Sequence, residues 1–288
     1  MDAVLLASCS AVLFGAMTIV LRLALRRTPD AQLGALATIA VALAVAGSLA
    51  LLRGLGGVSG ADVVPFVVAG VLAPGASQLL FTLAVRDAGA SRTSVLTGVA
   101  PLLAVAIALV ALDEPLEAPL LAGALLIVVG GAALAFERVR PEGFKPIGAL
   151  FAIGGATTFA IRDNAVRALS DETTVDPALG AAITLATGGT VMLAYLVATR
   201  GGRLVGLARA GALSFVPVGL LFGLSYVTLF EAYYRGRVSV VSPIVATESL
   251  WGVLLSALLL RRSELVGRRL VAGAALIVAG GALIGAFR

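Results

Sequence analysis

The chain has 288 residues, of which 60% are hydrophobic and only 13% are charged, which leaves too little polar surface to cover a soluble fold. With no histidine and a single cysteine, the composition excludes disulfides, CxxC chemistry, Ser-His triads and nearly all zinc or haem sites. The net charge of +5 would suggest nucleic-acid binding in a soluble protein, but here the basic residues lie between apolar runs, where they indicate membrane topology.

Ten apolar runs follow one another along the chain, each close to the roughly 20 residues that a membrane-spanning helix needs. Short connections rich in glycine, proline and charged residues separate them. We predict ten transmembrane spans at residues 3–25, 33–52, 64–85, 93–112, 117–136, 147–169, 178–198, 211–234, 238–260 and 268–287. The predicted protein is therefore all-α and integral to the membrane.

The fifth and tenth spans carry nearly the same sequence. Residues 121–132 (LAGALLIVVGGA) and 271–282 (VAGAALIVAGGA) are identical at nine of twelve positions, at an offset of 150 residues. An acidic residue precedes each copy at the same offset, Glu114 in one and Glu264 in the other. This match predicts that the chain contains one structural unit twice.

A polar link at residues 138–145 separates the two predicted halves, residues 1–137 and 146–288, which have five spans each. Because five is an odd number, the second half must enter the membrane from the opposite side. Two equivalent units of opposite orientation form an inverted-topology repeat, and this architecture places a binding site near the membrane midplane between the halves.

Short motifs surround the fourth, fifth, ninth and tenth spans. They are GASRTSVL at 89–96, Ala100-Pro101, DEPL at 113–116, GALLI at 123–127, Thr247-Glu248-Ser249 and the acidic turn at Glu264. These motifs resemble those of EamA-type transporters in the drug/metabolite transporter superfamily, although Ser249 replaces a usual proline and Arg261-Arg262 stands where a glycine is usual. The resemblance covers essentially the whole chain. It implies two five-span halves and export of small metabolites, often amino acids or related compounds, without ATP hydrolysis.

Two candidate ligand-binding residues lie in span nine. Glu248 is ten to twelve residues from either end of that span, near the predicted midplane, where a charge is costly and points to function. Its carboxyl group could bind a cationic group or exchange a proton, or it could be a neutral acid hydrogen-bonded between helices. Trp251, about one turn further on roughly the same face, could stack on an organic cation or pack against lipid or protein.

Arg22 and Arg162 occupy equivalent positions in the first and sixth spans, at an offset of 140 residues. In an inverted fold, we expect them on opposite sides of the midplane, facing a shared central path. The alternative, extension to the nearest headgroups, is stronger for Arg22, about one turn from the end of its span. Asp163 and Asn164 follow Arg162, and successive helical residues point about 100° apart, so we expect one of the three to pair with another helix. Arg22, Arg162 and Asn164 are further candidate substrate-binding residues.

Gln78 in span three follows Pro74-Gly75, a pair that is expected to kink or break the helix. The corresponding region of span eight contains Ser225-Tyr226, after Pro217. Transporters place ligand contacts beside helix breaks, so Gln78 and Tyr226 are candidate substrate-binding residues. The alternative for Gln78 is a hydrogen bond between helices.

We expect a secondary transporter that exports a small polar metabolite, such as an amino acid or related compound, because two arginines and one central acid suit a zwitterion or organic anion. The alternative is a proton-coupled exporter of lipophilic cationic drugs in which Glu248 binds both the proton and the drug. A channel or an integral membrane enzyme is less favoured, and the missing histidine weakens the enzyme hypothesis further. No Walker A pattern for ATP binding is present.

The predicted location is the plasma (inner) membrane, which the chain crosses several times. We expect it to bind a small-molecule substrate and lipid, with protons as a candidate coupling ion, and no nucleic acid, cofactor or metal. The protein is expected to be a monomer or a homodimer. Its orientation stays open: loops after odd-numbered spans hold fourteen of the 21 basic residues, which favours termini outside the cytoplasm, whereas many members of the family it resembles have both termini inside.

Overall fold

The structure is a computed structural model that describes residues 2–54, 60–100, 102–103, 118–135, 143–170, 173–204, 206, 211–236, 241, 244–260 and 267–286. Within these ranges the regular structure is helical, and no strand occurs among them. The predicted acidic turns at Glu114 and Glu264, the residues Pro101 and Arg261-Arg262, and most of the polar link at 138–145 lie outside the described residues.

The helices follow the order of the predicted spans. In the first half they are α1 (Ala3–Arg27), α2 (Ala31–Arg53), α3 (Gly60–Gly70), a π-helical turn at Val71–Ala76, α4 (Ser77–Ala88), α5 (Ala90–Thr97) and α6 (Ala118–Ala135). In the second half they are α7 (Ile147–Ser170), α8 (Pro177–Arg200), α9 (Val216–Arg235), α10 (Glu248–Leu255), a π-helical turn at Ser256–Leu260 and α11 (Arg268–Ala286). Helices α3 and α4 together form span three.

Five helical segments are long and apolar enough to cross a membrane, and they coincide with predicted spans one, two, three, seven and eight. They are Ala3–Arg27, Ala31–Arg53, Gly60–Ala88, Pro177–Arg200 and Ala212–Arg235. Two shorter apolar helices, Ile147–Arg162 and Glu248–Leu260, lie at predicted spans six and nine. The prediction of an all-α membrane protein is therefore confirmed.

Aspartates begin the equivalent helices α2 and α8. The Asp30 carboxylate accepts a hydrogen bond from Leu33 N at 3.0 Å, and the Asp176 carboxylate accepts one from Ala178 N at 2.9 Å. Each carboxylate satisfies an N–H group that the first helical turn leaves without a backbone partner, and its negative charge suits the positive end of the helix dipole. These two residues thus fix where the helices start.

Helices α2 and α8 pack against each other in opposite directions, and each ends in an arginine that contacts the aspartate at the start of the other. Arg200 pairs with Asp30, while Arg53 lies 3.5 Å from Asp176 and also pairs with Glu231 of α9. The two halves are therefore joined by equivalent ion pairs at the two ends of one helix pair.

The repeated segments in α6 and α11 pack directly on each other through glycines. A Cβ added at Gly130 would lie 2.7 Å from Gly273 O, and one added at Gly280 would lie 2.5 Å from Gly123 O. Gly130 and Gly280 are equivalent at the offset of 150, as are Gly123 and Gly273. Because equivalent residues exchange the same contact, the two helices are antiparallel and related by a local two-fold axis perpendicular to them.

Candidate functional site

The helix of span three breaks at Pro74-Gly75, as the sequence predicts. Ala73 leaves the helical conformation, with φ −141° and ψ 116°. Proline has no N–H to donate, so a break at this point leaves backbone groups that need other partners. One of them is satisfied from α9, where the Tyr226 hydroxyl donates to the Ala73 carbonyl at 3.2 Å.

The packing of α4 on α7 brings Arg162 to the level of this break. A Cβ added at Gly148 would lie 2.6 Å from Ala88 N, and one added at Gly155 would lie 3.7 Å from Phe81 N. Going from Gly148 to Gly155 raises the residue number on α7 by seven, while the number of the facing residue on α4 falls by seven, from Ala88 to Phe81. The two helices are therefore antiparallel. Arg162, seven residues beyond Gly155, comes level with Pro74.

Arg162 is buried among aromatic rings, with 4% of its surface exposed. Its guanidinium carbon lies 5.0 Å from the centre of the Tyr226 ring and 5.3 Å from the centre of the Phe159 ring. Both distances are within the range of a cation–π interaction, which strengthens when water is excluded. The two ring faces therefore help to stabilise a guanidinium cation in the protein interior.

Phe159 belongs to a cluster of four phenylalanines that come from four different helices. Phe14 of α1 lies 5.0 Å from Phe81, 6.1 Å from Phe159 and 6.5 Å from Phe222, measured between ring centres. The sequence analysis did not identify this cluster. A signal was present, since Phe81 is three residues after Gln78 and Phe159 is three before Arg162, and residues at this spacing share a helix face.

Gln78 is fully buried about one turn after the break, and neither the oxygen nor the nitrogen of its amide has a hydrogen-bond partner among the described residues. The hydroxyl of Ser77 is in the same situation. The backbone carbonyl of Gln78 accepts a hydrogen bond from the Thr82 hydroxyl at 2.7 Å. The unsatisfied groups of Gln78 are therefore those of its side-chain amide. An unpaired buried donor or acceptor costs about 1–3 kcal/mol, so such an amide needs an explanation.

Arg22 lies in different surroundings from Arg162. Its guanidinium donates to the carbonyl of Val85 at 3.0 Å and to that of Arg86 at 2.8 Å. These are among the last carbonyl groups of α4, which the helix itself leaves without N–H partners. The Arg22 side chain therefore caps the C-terminal end of α4.

The remaining candidates lie on α7 and α10. The Asn164 amide donates to the Ala160 carbonyl of its own helix at 2.8 Å. Glu248 is half-buried at the first position of α10, and Trp251 is 38% exposed with its Cβ against α1, 2.7 Å from where a Cβ at Gly15 would be. The structure thus brings Arg162 and Tyr226 together at the break, places Gln78 about one turn beyond the break on α4, and places Glu248 and Trp251 on α10.

Arg92 is a buried cation that the sequence analysis assigned to a loop. It is 4% exposed and lies in the first turn of α5. The loop is shorter than expected because Gly89 alone, with φ +93°, turns the chain between α4 and α5. Glycine adopts this left-handed conformation without the steric penalty of other residues, which is the signal that could have placed Arg92 inside the helix.

Comparisons with known proteins agree with this architecture. The model of the EamA-like transporter family matches residues 1–136 and again residues 146–286. No curated protein gives a significant match. A solved structure described in the words "Crystal structure of protein" is 22% identical, with a TM-score of 0.63 over 98% of this chain and 95% of that chain, which shows a similar fold. The chain therefore belongs to the EamA-like transporter family, membrane transporters of the drug/metabolite type with two repeats of five helices.

Proposed function

We propose that the protein is a secondary transporter that exports a small polar metabolite bearing a carboxylate, such as an amino acid or a related compound, across the plasma (inner) membrane. The observation that supports this proposal is the position of Arg162, buried over Tyr226 and Phe159 at the level of the broken helix. A buried cation inside a membrane-spanning region is costly, and such residues commonly mark the path of a substrate or ion.

A guanidinium group suits this role because its planar array of N–H donors matches a carboxylate through two parallel hydrogen bonds. The aromatic faces of Tyr226 and Phe159 stabilise the cation from the side, and they provide apolar contact for the rest of a small organic anion. The helix break beside them supplies backbone polar groups at the same level, as in the binding sites of other transporters.

Flux measurements in proteoliposomes test the proposal. We would follow uptake of radiolabelled amino acids and simple organic acids, with and without an imposed pH gradient, for the wild type, Arg162→Lys and Arg162→Ala. We expect Arg162→Lys to weaken the apparent affinity for carboxylates about tenfold, since the charge remains but the two-bond geometry is lost. Arg22→Lys is the matched control, because Arg22 caps a helix end and its replacement should change affinity much less.

Two results would contradict the proposal. One is transport of lipophilic cations but of no carboxylate, which would favour the alternative of a drug exporter that uses Glu248 and Trp251. The other is unchanged transport by Arg162→Lys together with loss of folded protein in Arg162→Ala, which would make Arg162 a structural residue. Detergent-solubilised protein should be checked for oligomeric state in parallel, since we propose a monomer or a homodimer.

A further inference from the structure

We propose that the buried amide of Gln78 pairs with a primary amide of the substrate, so that the transported class is carboxylates that also carry a primary amide group, such as monoamides of dicarboxylic acids. This inference rests on the proposed function, since Arg162 holds the carboxylate and Gln78 reads the second group of the same molecule.

The starting observation is the missing hydrogen bonds of Gln78. The side chain is fully buried, and both its Oε1 and its Nε2 have no partner in the described part of the chain. Buried side-chain amides are normally hydrogen-bonded, because the interior offers no water to replace the bonds lost on burial. A ligand that supplies one donor and one acceptor would therefore remove an unfavourable feature of the protein.

Gln78 is placed to reach a ligand held by Arg162. When the antiparallel register of α4 and α7 is extended by seven residues, Arg162 comes level with Pro74, and Gln78 follows Pro74 by four residues, about one helical turn. Gln78 is also three residues before Phe81, whose ring lies 6.4 Å from that of Phe159. Residues at this spacing share a helix face, so Gln78 lies on the side of α4 that faces the Arg162 site.

The choice of an amide follows from counting donors and acceptors. A substrate ammonium would satisfy Oε1 only and would add a second buried cation near Arg162. A second carboxylate would satisfy Nε2 only. A primary amide has one N–H on the same side as its carbonyl, so it can form two parallel hydrogen bonds with the Gln78 side chain and bring no extra charge, whereas the N–H and carbonyl of a trans secondary amide point in opposite directions. The unpaired Ser77 hydroxyl next to it can donate to the remaining lone pair of the substrate carbonyl.

The experiment compares a primary amide with the methyl ester that lacks its N–H groups. Proteoliposomes containing the full chain would be assayed with two pairs of probes: succinamate against monomethyl succinate, and glutaramate against monomethyl glutarate. The wild type should prefer the amide of at least one pair about tenfold in apparent affinity, because the ester leaves Oε1 of Gln78 unpaired. Equal affinity for amide and ester in both pairs would overturn the inference.

The variant Gln78→Leu should reduce the preference for the amides over the esters to less than about twofold, because it removes the Oε1 that accepts the amide N–H. Gln78→Met serves as a second variant of similar volume, and monodisperse elution in detergent checks that each is folded. Thr38→Val is the matched control, since Thr38 of α2 is another fully buried residue with an unpaired hydroxyl, and it should leave the preference unchanged. A preference that survives in both Gln78 variants would also overturn the inference.

The outcomes separate this inference from the proposed function. If the wild type transports carboxylates but does not distinguish amide from ester, only the role of Gln78 fails. If it transports free amino acids without a side-chain amide better than these monoamides, the proposed function stands and the amide class is wrong. If it transports no carboxylate at all, both fail together.

Discussion

Arg22 and Arg162 stand at equivalent positions of the two halves, seven residues after Gly15 and Gly155 respectively, but they do different things. Arg22 donates to two backbone carbonyls at the end of α4, whereas Arg162 lies over aromatic rings at a broken helix. The repeat thus determines where a cation lies in each half, while the part of span three that the cation meets determines its use. Arg22 meets the C-terminal end of span three, and Arg162 lies beside the break in the same span.

A second difference between the halves is the position of proline in spans three and eight. Pro74 lies in the middle of span three and breaks it, but Pro217 lies in the first turn of α9 and leaves that helix continuous. Proline is tolerated in the first turn because the N–H groups there have no partner within the helix. The described part of α9 therefore contains no equivalent break.

The largest effect is expected from removing the two cations in turn, which tests whether Arg162 and Arg22 have different roles. Arg162→Ala should reduce the apparent affinity for a transported carboxylate about 100-fold, because charge-assisted hydrogen bonds are worth roughly 1.5–3 kcal/mol. Arg22→Ala should chiefly lower the thermal stability, since it leaves the carbonyls of Val85 and Arg86 without their donor. Equal losses of affinity in two folded variants would show that both arginines serve the substrate.

A somewhat smaller effect is expected from Glu248, which would extend the comparison to α10. The change Glu248→Gln keeps the size and hydrogen-bonding capacity of the side chain but removes its titration. We expect the flux of the wild type to vary with pH and that of Glu248→Gln to be lower, by about tenfold at the optimum, and nearly independent of pH. Flux measured across several pH values in both proteins checks this. A variant with wild-type flux and pH dependence would assign Glu248 to packing.

The Tyr226 hydroxyl offers a test of the broken helix. Tyr226→Phe keeps the ring beside Arg162 but leaves the Ala73 carbonyl without its donor, so the free energy of unfolding should fall by about 1–3 kcal/mol. The control is Tyr195→Phe, which removes an exposed hydrogen bond from Gln32 and should change stability by less than about 0.5 kcal/mol. Thermal unfolding in detergent measures both, and equal shifts would mean that the break does not need the hydroxyl.

The smallest effect is expected at the ion pairs between α2 and α8. Although burial opposes ionisation of Asp30, hydrogen bonds from Arg200 and from backbone N–H groups hold the pKa of its carboxyl below the ordinary value. A depressed pKa stabilises the fold above the ordinary value near 3.9, and this contribution is lost as the pH falls through the lower, folded value. Asp30→Asn retains a capping side chain and should cost about 1 kcal/mol at neutral pH.

The equivalent change Asp176→Asn is the control for that experiment, because Arg53 lies 3.5 Å from Asp176 in a more exposed position. It should reduce stability less than Asp30→Asn does. Unfolding temperatures at pH 7 and near pH 3 would show whether the difference between the two variants narrows in acid. A difference that stays constant would assign the effect of Asp30 to capping rather than to charge.

The spans and the duplication could be predicted from the sequence because they depend on local properties: the length of apolar runs, and glycines repeated at a fixed offset. The break at Pro74-Gly75 followed from the chemistry of proline alone. The loop between spans three and four was predicted too long because the prediction did not recognise that Gly89, at positive φ, can turn the chain by itself, and Arg92 was consequently assigned to that loop.

The surroundings of Arg162 could not be predicted in the same way. The rings around it come from α1, α4, α7 and α9, so the cluster depends on how helices distant in sequence pack. The missing partners of Gln78 are likewise a property of the assembled helices, and the sequence shows only that a polar residue follows a proline. The roles of the seven candidate residues in transport stay predictions until the variants are measured.

The exchanged contacts of the two halves have a consequence for how such a chain can arise. Arg200 contacts Asp30, and Arg53 contacts Asp176. Gly130 of α6 packs on α11 in the same way as Gly280 of α11 packs on α6. Each half thus offers the other the same set of contacts, in the reversed orientation. A single five-helix subunit inserted in both orientations would meet the same requirements as a dimer, so fusion of two duplicated genes needs no new interface, only a linker of the right length.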